Sequence, residues 1–102
     1  MVMSRTRKTV GTGAVIGHRL GKIAKTAGIV HRDLASLSGV SHGAPGSLFR
    51  GEVPHPQITT VAPLARTLGV SLDWLVFGEG EPPTKEQVLS AVERARASKE
   101  AA

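Results

Sequence analysis

The chain has 102 residues, of which 13 are basic, 8 are acidic and none is cysteine, so its formal net charge is +5. This length fits one small domain with tails and excludes a two-domain enzyme. The absence of cysteine excludes a disulfide framework, a Cys-ligated zinc site and a thiol nucleophile, and it fits a reducing compartment. Only three residues are aromatic, so we expect a core built from Leu, Ile, Val and Ala.

Positive charge is concentrated at the N-terminal end. Residues 1–32 carry seven basic and no acidic side chains (+7), whereas residues 33–102 carry six basic and eight acidic ones (−2), which together give +5. A basic arm followed by a basic helix is typical of a protein that binds a polyanion, either nucleic acid or an anionic membrane surface. The alternative is a charged surface that only keeps the chain in solution. No apolar run approaches the roughly 20 residues that a membrane-spanning helix needs.

The first third of the chain predicts an arm and an amphipathic helix. Residues 1–14 are polar, basic and without periodicity, so we interpret them as a flexible arm. Helical spacing of apolar residues begins near Val15 and ends at Gly28. The residues in this apolar pattern are Ile16, Leu20, Ile23, Ala24 and Ala27.

Two short helices follow, joined by a tight turn. The first runs from about His31 to Leu37, and Gly39 after it is suited to the left-handed conformation that ends a helix. Ser41 is placed to cap the next helix, which Pro45 restricts to a late start near Ala44 and which stops at Gly51.

The remaining sequence predicts three more helices. A fourth begins near Thr59 or Thr60 and ends at Gly69, and a fifth, Leu72 to Phe77, is capped by Ser71. Thr84 and Gln87 have the spacing of a capping box for a sixth helix, Lys85 to Ser98. Its apolar stripe consists of Val88, Leu89, Val92 and Ala95. This stripe can pair with a second copy of the chain, which we favour, or fold back on the domain.

Two short helices joined by a glycine turn in a small all-helical domain are typical of a helix-turn-helix protein. Further motifs are Ile16-Gly17, Arg19-Leu20, Leu34-Ala35, Gly39-Val40-Ser41, Gly51, Pro56, Leu68-Gly69-Val70-Ser71, Asp73-Trp74-Leu75 and Gly78-Glu79-Gly80. On these residues the chain resembles the lambda-repressor-like (XRE-like) family of phage repressor and Cro proteins over about two-thirds of its length. The resemblance implies an all-α, five-helix bundle at residues 15–80, with the basic arm before it and a linker with an extra C-terminal helix at residues 81–102.

The resemblance also implies a DNA interface. The third helix of such proteins enters the major groove and the second lies across the DNA backbone. His42 and Gly43 take the base-reading positions at the start of helix 3, with Ser47 one turn further. A neutral imidazole can donate to or accept from a base edge. The phosphate-contacting candidates are Arg5, Arg7, Lys8, His31, Arg32, Ser41 and Arg50.

These observations predict a sequence-specific transcription regulator of phage repressor or Cro type. We expect it to bind double-stranded operator DNA as a homodimer in the cytoplasm of a bacterial or phage-infected cell, with no cofactor, membrane association or small-molecule effector. The alternative is a protein-interaction module, antitoxin-like or regulator-binding, on the same scaffold. Gly43, Pro45 and Gly46 motivate it, since they stand where strong helix formers are expected.

The sequence contains no catalytic or metal-ligating pattern. His18, His31, His42 and His55 do not show the spacing of ligands on a shared helix face, so we predict no metal site. No carboxylate pair lies near a suitable nucleophile, and the Gly11-Thr12-Gly13 segment lacks the lysine of a phosphate-binding loop. We therefore predict that the protein is not an enzyme.

Overall fold

The fold of the chain, from a computed structural model that describes residues 10–101, is helical with no strand in that range. The elements are α1 (Gly13–Ala27), α2 (His31–Ser38), α3 (Ala44–Phe49), α4 (Ile58–Leu68), a π-helical segment (Asp73–Phe77), called the π turn below, and α5 (Lys85–Ala101). The predicted all-α helix-turn-helix bundle is confirmed. The predicted arm contacts Arg5, Arg7 and Lys8 lie outside the described residues.

Helix α1 begins at Gly13, two residues before the sequence-based start near Val15. Thr12 caps it, because its Oγ1 accepts a hydrogen bond of 3.2 Å from the N–H of Val15. Just before the helix, the N–H of Gly11 donates to the carbonyl of Val76 at 2.7 Å. The glycines around Thr12 weaken the helical pattern in the sequence, which is why the cap was not recognised there.

Three glycines spaced four residues apart on α1 let it lie close to α3 and the loop after α3. A Cβ added at Gly17 would lie 2.8 Å from the carbonyl carbon of Leu48, and one at Gly13 would lie 2.5 Å from the carbonyl oxygen of Pro54. At Gly21 a Cβ would lie 3.0 Å from the Cβ of Phe49. These glycines therefore fix the distance between α1 and α3.

The core is aliphatic, as the composition predicts. Its fully buried members come from every helix: Leu20, Leu34, Leu48, Leu64, Leu68, Leu75 and Val88. Trp74 and Phe49 are only partly buried and pack against this cluster. Burial of these side chains is the main term that holds the helices together, at about 1.5–3 kcal/mol each.

Helix α4 begins at Ile58, one or two residues before the predicted start, and carries the predicted core residues Val61, Leu64, Ala65 and Leu68. The Thr67 hydroxyl, almost fully buried, donates to the carbonyl of Pro63 at 3.0 Å and shares a 2.9 Å hydrogen bond with the Ser38 hydroxyl. This pair of hydroxyls ties the C-terminal end of α2 to α4.

The capping predictions for the last two elements are confirmed. Ser71 Oγ accepts from the N–H of Trp74 at 3.2 Å at the start of the π turn. The N–H of Thr84 donates to Gln87 Oε1 at 2.9 Å, and the N–H of Gln87 donates to Thr84 Oγ1 at 3.2 Å. This reciprocal capping box starts α5, which continues past the predicted end at Ser98 to Ala101.

Helix α5 folds back on its own domain. Val88, Ala91 and Val92 are buried, whereas Leu89, predicted in the apolar stripe, is 40% exposed. Leu89 lies outside this buried face, whereas Ala91 approaches Gly69 at the end of α4. Near its C-terminal end α5 also contacts α2, through an Arg96–Asp33 ion pair of 3.2 Å and hydrogen bonds from Lys99 Nζ to Ser36. The face of α5 that carries Val88, Ala91 and Val92 therefore packs against its own domain.

Candidate nucleic-acid interface

The α2–turn–α3 unit has the connectivity of a helix-turn-helix. Gly39 ends α2 with φ 74°, and its N–H donates to the carbonyl of Ala35 at 2.9 Å. The conformation predicted for Gly39 is confirmed, since only glycine adopts it without steric cost. Leu34 and Ala35 on α2 and Gly46 and Leu48 on α3 are buried, so the two helices pack through small and branched aliphatic residues.

The start of α3 differs from the sequence-based expectation for its cap. The helix begins at Ala44 with Gly43 at the cap position, and no described side chain caps it. Ser41 instead contributes its carbonyl oxygen, which accepts from the N–H of Ala44 at 3.1 Å. Pro45 explains the difference: it has no N–H and fits only the first turn, so the helix starts three residues after Ser41. The late start near Ala44 is confirmed, and Ser41 as a side-chain cap is wrong.

The three predicted base-reading residues lie on or next to α3 with unequal exposure. His42 and Gly43 are exposed in the turn before the helix, and a Cβ added at Gly43 would meet no atom within 4 Å. Ser47 is half-buried inside the helix, where its N–H donates to the carbonyl of Gly43 at 3.2 Å. The N-terminal end of α3 is therefore the accessible part, with His42 as its largest polar side chain.

Two of the phosphate candidates, His31 and Arg50, have their side chains beside Gly46 of α3. His31 begins α2, and its ring contacts Phe49 edge-on with centroids 5.1 Å apart. A Cβ added at Gly46 would lie 3.2 Å from Arg50 Nη1 and 3.5 Å from His31 Nδ1. The side chains of His31 and Arg50 thus flank Gly46. Arg32 and Ser41 are exposed on the same helix-turn-helix unit.

Arg50 has a partner that the sequence analysis missed. Its Nε donates to Glu52 Oε2 at 2.7 Å and its Nη2 to Glu52 Oε1 at 3.3 Å, so the carboxylate accepts from two nitrogens of the guanidinium. The hydrogen bond from Arg50 lowers the pKa of Glu52 from its ordinary value, and the same hydrogen bond raises that of Arg50. A carboxylate two residues after a basic side chain was the only sequence signal for this pair.

A basic groove between α1 and α2 was also missed. It has a volume of about 730 Å³, and its basic lining comes from Lys22 and Lys25, with His18 and His31 beside them. No residue that lines the groove is acidic, and Phe49 closes one side. The signal in the sequence was the spacing of His18, Lys22 and Lys25, which places them on one face of α1.

Arg19 belongs to the packing of the domain, although the sequence analysis counted it within the basic N-terminal charge. Its Nη1 donates to the carbonyl of Leu75 at 2.7 Å and more weakly to that of Trp74 at 3.4 Å. These carbonyls lie in the π turn, near the C-terminal end of a helical segment, where a cation is favourable. Its guanidinium is therefore occupied inside the domain.

Within residues 10–101, no group of three or more His, Cys, Asp or Glu side chains is arranged to hold a metal ion. No helix in the same range is long and apolar enough to cross a membrane.

Comparison with known proteins gives one line of similarity. No protein-family model matches the chain, and no solved structure matches it. Two proteins named HTH-type transcriptional regulator PuuR, from Escherichia coli (strain K12) and from Shigella flexneri, are each 35% identical to it over 77 residues. The aligned part is 76% of this chain but 40% of each relative, so the chain spans less than half the length of the relatives it matches. The chain is thus similar, over that part, to proteins named as helix-turn-helix transcriptional regulators.

Proposed function

We propose that the protein is a sequence-specific DNA-binding transcription regulator of phage repressor or Cro type, with α3 in the major groove of its operator. The observation that carries the proposal is the exposed start of α3 beside exposed basic side chains of α2 and of the α3 end. His42 and Gly43 are exposed there, and the phosphate candidates His31, Arg32 and Arg50 are exposed on the same helix-turn-helix unit. The similarity to helix-turn-helix regulators points to the same use of this surface.

Each residue has a role that follows from its exposure. His42 offers one imidazole donor or acceptor to a base edge, and Gly43 leaves space for the base pair beside it. Ser47, half-buried, contributes at most its hydroxyl. His31, Arg32 and Ser41 set the register of the domain on the DNA backbone, and Arg50 joins them where it is released from Glu52. The arm residues Arg5, Arg7 and Lys8 add phosphate contacts.

The proposal includes a homodimer, because one helix-turn-helix contacts few base pairs and useful discrimination needs two half-sites about one DNA turn apart. The buried face of α5 is occupied by its own domain. Pairing through α5 therefore has to use the opposite face, which carries Leu89. No cofactor or small-molecule effector enters the proposed mechanism.

The shape of α3 favours one alternative, a protein-interaction module on the same scaffold. The helix has only six residues, and Pro45 and Gly46 are buried in it, so its exposed reading surface is short. A partner protein that accepts the His42–Gly43 turn would then replace the DNA.

Selection of bound sites from a pool of random duplexes distinguishes these functions. The proposal predicts an enriched palindrome with two half-sites about one helical turn apart and two chains per duplex. On the enriched site, His42→Ala should weaken binding by roughly tenfold, the value of one base contact, while leaving binding to random duplexes unchanged. Recovery of no common sequence would contradict the proposal and favour the interaction module.

A further inference from the structure

The segment that ends α3 fixes Glu52 relative to Arg50. Gly51 has φ 76°, which reverses the chain at the helix end and requires glycine. The N–H of Glu52 donates to the carbonyl of Ser47 at 3.1 Å, and the N–H of Gly51 donates to that of Leu48 at 3.0 Å. This pair of bonds is a Schellman motif, so the backbone of Glu52 is held by α3 itself. The position of its carboxylate beside Arg50 is therefore a consequence of how the helix ends.

Glu52 occupies the Nε–Nη2 edge of the Arg50 guanidinium, which is one of the edges that can bind a phosphate. Nε and Nη2 both donate to the carboxylate, while Nη1 lies over Gly46 beside His31. A carboxylate and a phosphate accept the same pair of parallel N–H groups, so they compete for this edge. Both side chains are more than half exposed, at 61% and 55%, so DNA can reach the pair.

The Glu52 carboxylate, which competes with phosphate for this edge, carries a negative charge. The hydrogen bond from Arg50 lowers the pKa of Glu52, so the carboxylate stays ionised at neutral pH. Its negative charge also repels phosphate oxygens that approach α3 from this side.

From this geometry we infer that Glu52 limits the affinity of the protein for DNA by withholding Arg50 from the DNA backbone. The inference rests on the proposed function. With Arg50 paired, the backbone contributes less to affinity on every sequence, and base contacts at the start of α3 carry a larger share of it. Any DNA site has to displace Glu52 to gain the Arg50 contact, which weakens binding to selected and random sequences alike.

The test is a double-mutant cycle read by fluorescence anisotropy over a range of salt concentrations, on a random-sequence duplex and on the selected site. Glu52→Gln should bind the random duplex about two- to fivefold more tightly, the scale of one exposed ion pair. Its log–log salt slope should steepen by about 0.9, because Arg50 gains one phosphate contact. The selected site should gain affinity by a similar factor, because a phosphate contact does not depend on the base sequence.

In the Arg50→Gln background, the Glu52→Gln change should leave the salt slope unaltered and lose most of its gain in affinity. The matched control is Glu81→Gln, which makes the same change in net charge at an exposed position after the π turn and should affect neither quantity. Circular dichroism should show all four variants as folded as the parent chain.

Three results would overturn the inference while the proposed function stands, because the parent chain still binds DNA. Glu52→Gln could weaken binding, which would mean that Glu52 positions Arg50 for DNA. Its gain could persist without Arg50, or Glu81→Gln could match it, either of which would reduce the effect to net charge. Absence of DNA binding by the parent chain and by Glu52→Gln alike would overturn the proposed function, and this inference with it.

Discussion

Replacing Gly17 by alanine should destabilise the domain, although alanine is the better helix former. The added Cβ would lie 2.8 Å from the carbonyl carbon of Leu48 and closer still to its oxygen, both of which are backbone atoms of α3. Overpacking of this kind costs about 1–3 kcal/mol, and removing a helical glycine returns about 0.5–1 kcal/mol. We expect a net loss of about 1–2 kcal/mol in the free energy of unfolding, or a Tm lower by roughly 5–10 °C.

Urea denaturation followed by circular dichroism measures this loss, and an unchanged m-value would show that the unfolded state is not affected. Gly21→Ala is the matched control on the same helix face. Its Cβ would lie 3.0 Å from the Cβ of Phe49, a much smaller overlap than at Gly17, so Gly21→Ala should lose less stability than Gly17→Ala. If Gly17→Ala proved as stable as Gly21→Ala, the close approach of α1 and α3 would be refuted.

Three other predictions follow from single contacts. Arg19→Gln should lower the free energy of unfolding by about 1–2 kcal/mol, because a charged donor to the Leu75 carbonyl is lost. The same change should leave the salt slope of DNA binding unchanged, and a flatter slope would show that Arg19 contacts phosphate. Arg32→Gln, at an exposed phosphate candidate, should do the reverse, with little effect on urea denaturation and a salt slope shallower by about 0.9. Thr84→Ala should lower the free energy of unfolding by about 1 kcal/mol, because it removes half of the α5 capping box. Amide hydrogen exchange should become faster in the first turn of α5, and unaltered exchange there would contradict the role of the cap.

Local chemistry predicted most of the fold from the sequence. Helix ends at Gly28, Gly39 and Gly69, and the caps at Ser71 and Thr84, depend on residues within one turn of each other, so short-range patterns are sufficient. The buried positions of α4 follow from the same periodicity.

What the sequence did not predict depends on distant parts of the chain. Gly17 packs against the backbone of Leu48, and Arg19 donates to the carbonyl of Leu75 in the π turn. Both contacts join residues that are far apart in the sequence. The fold-back of α5 depends on the close approach of Ala91 to Gly69. The residue pattern of a single helix does not predict these contacts between distant parts of the chain.

The candidate site also has one feature that the sequence predicted and one that it did not. The exposure of His42 follows from its place in the turn between α2 and α3, and the sequence pattern around Gly39 predicted this turn. The Arg50–Glu52 pair depends on the left-handed Gly51 that brings the two side chains together, and the sequence analysis treated Gly51 only as a helix stop.

The central claim is that the start of α3 presents a surface that reads double-stranded DNA. It is tested most directly by competitive anisotropy of the full chain at one salt concentration, with the selected duplex, a random duplex and heparin as competitors. The account predicts that the selected duplex competes at least about tenfold better than the random one, as a single good base contact requires. Equal competition by the selected duplex and heparin would contradict it.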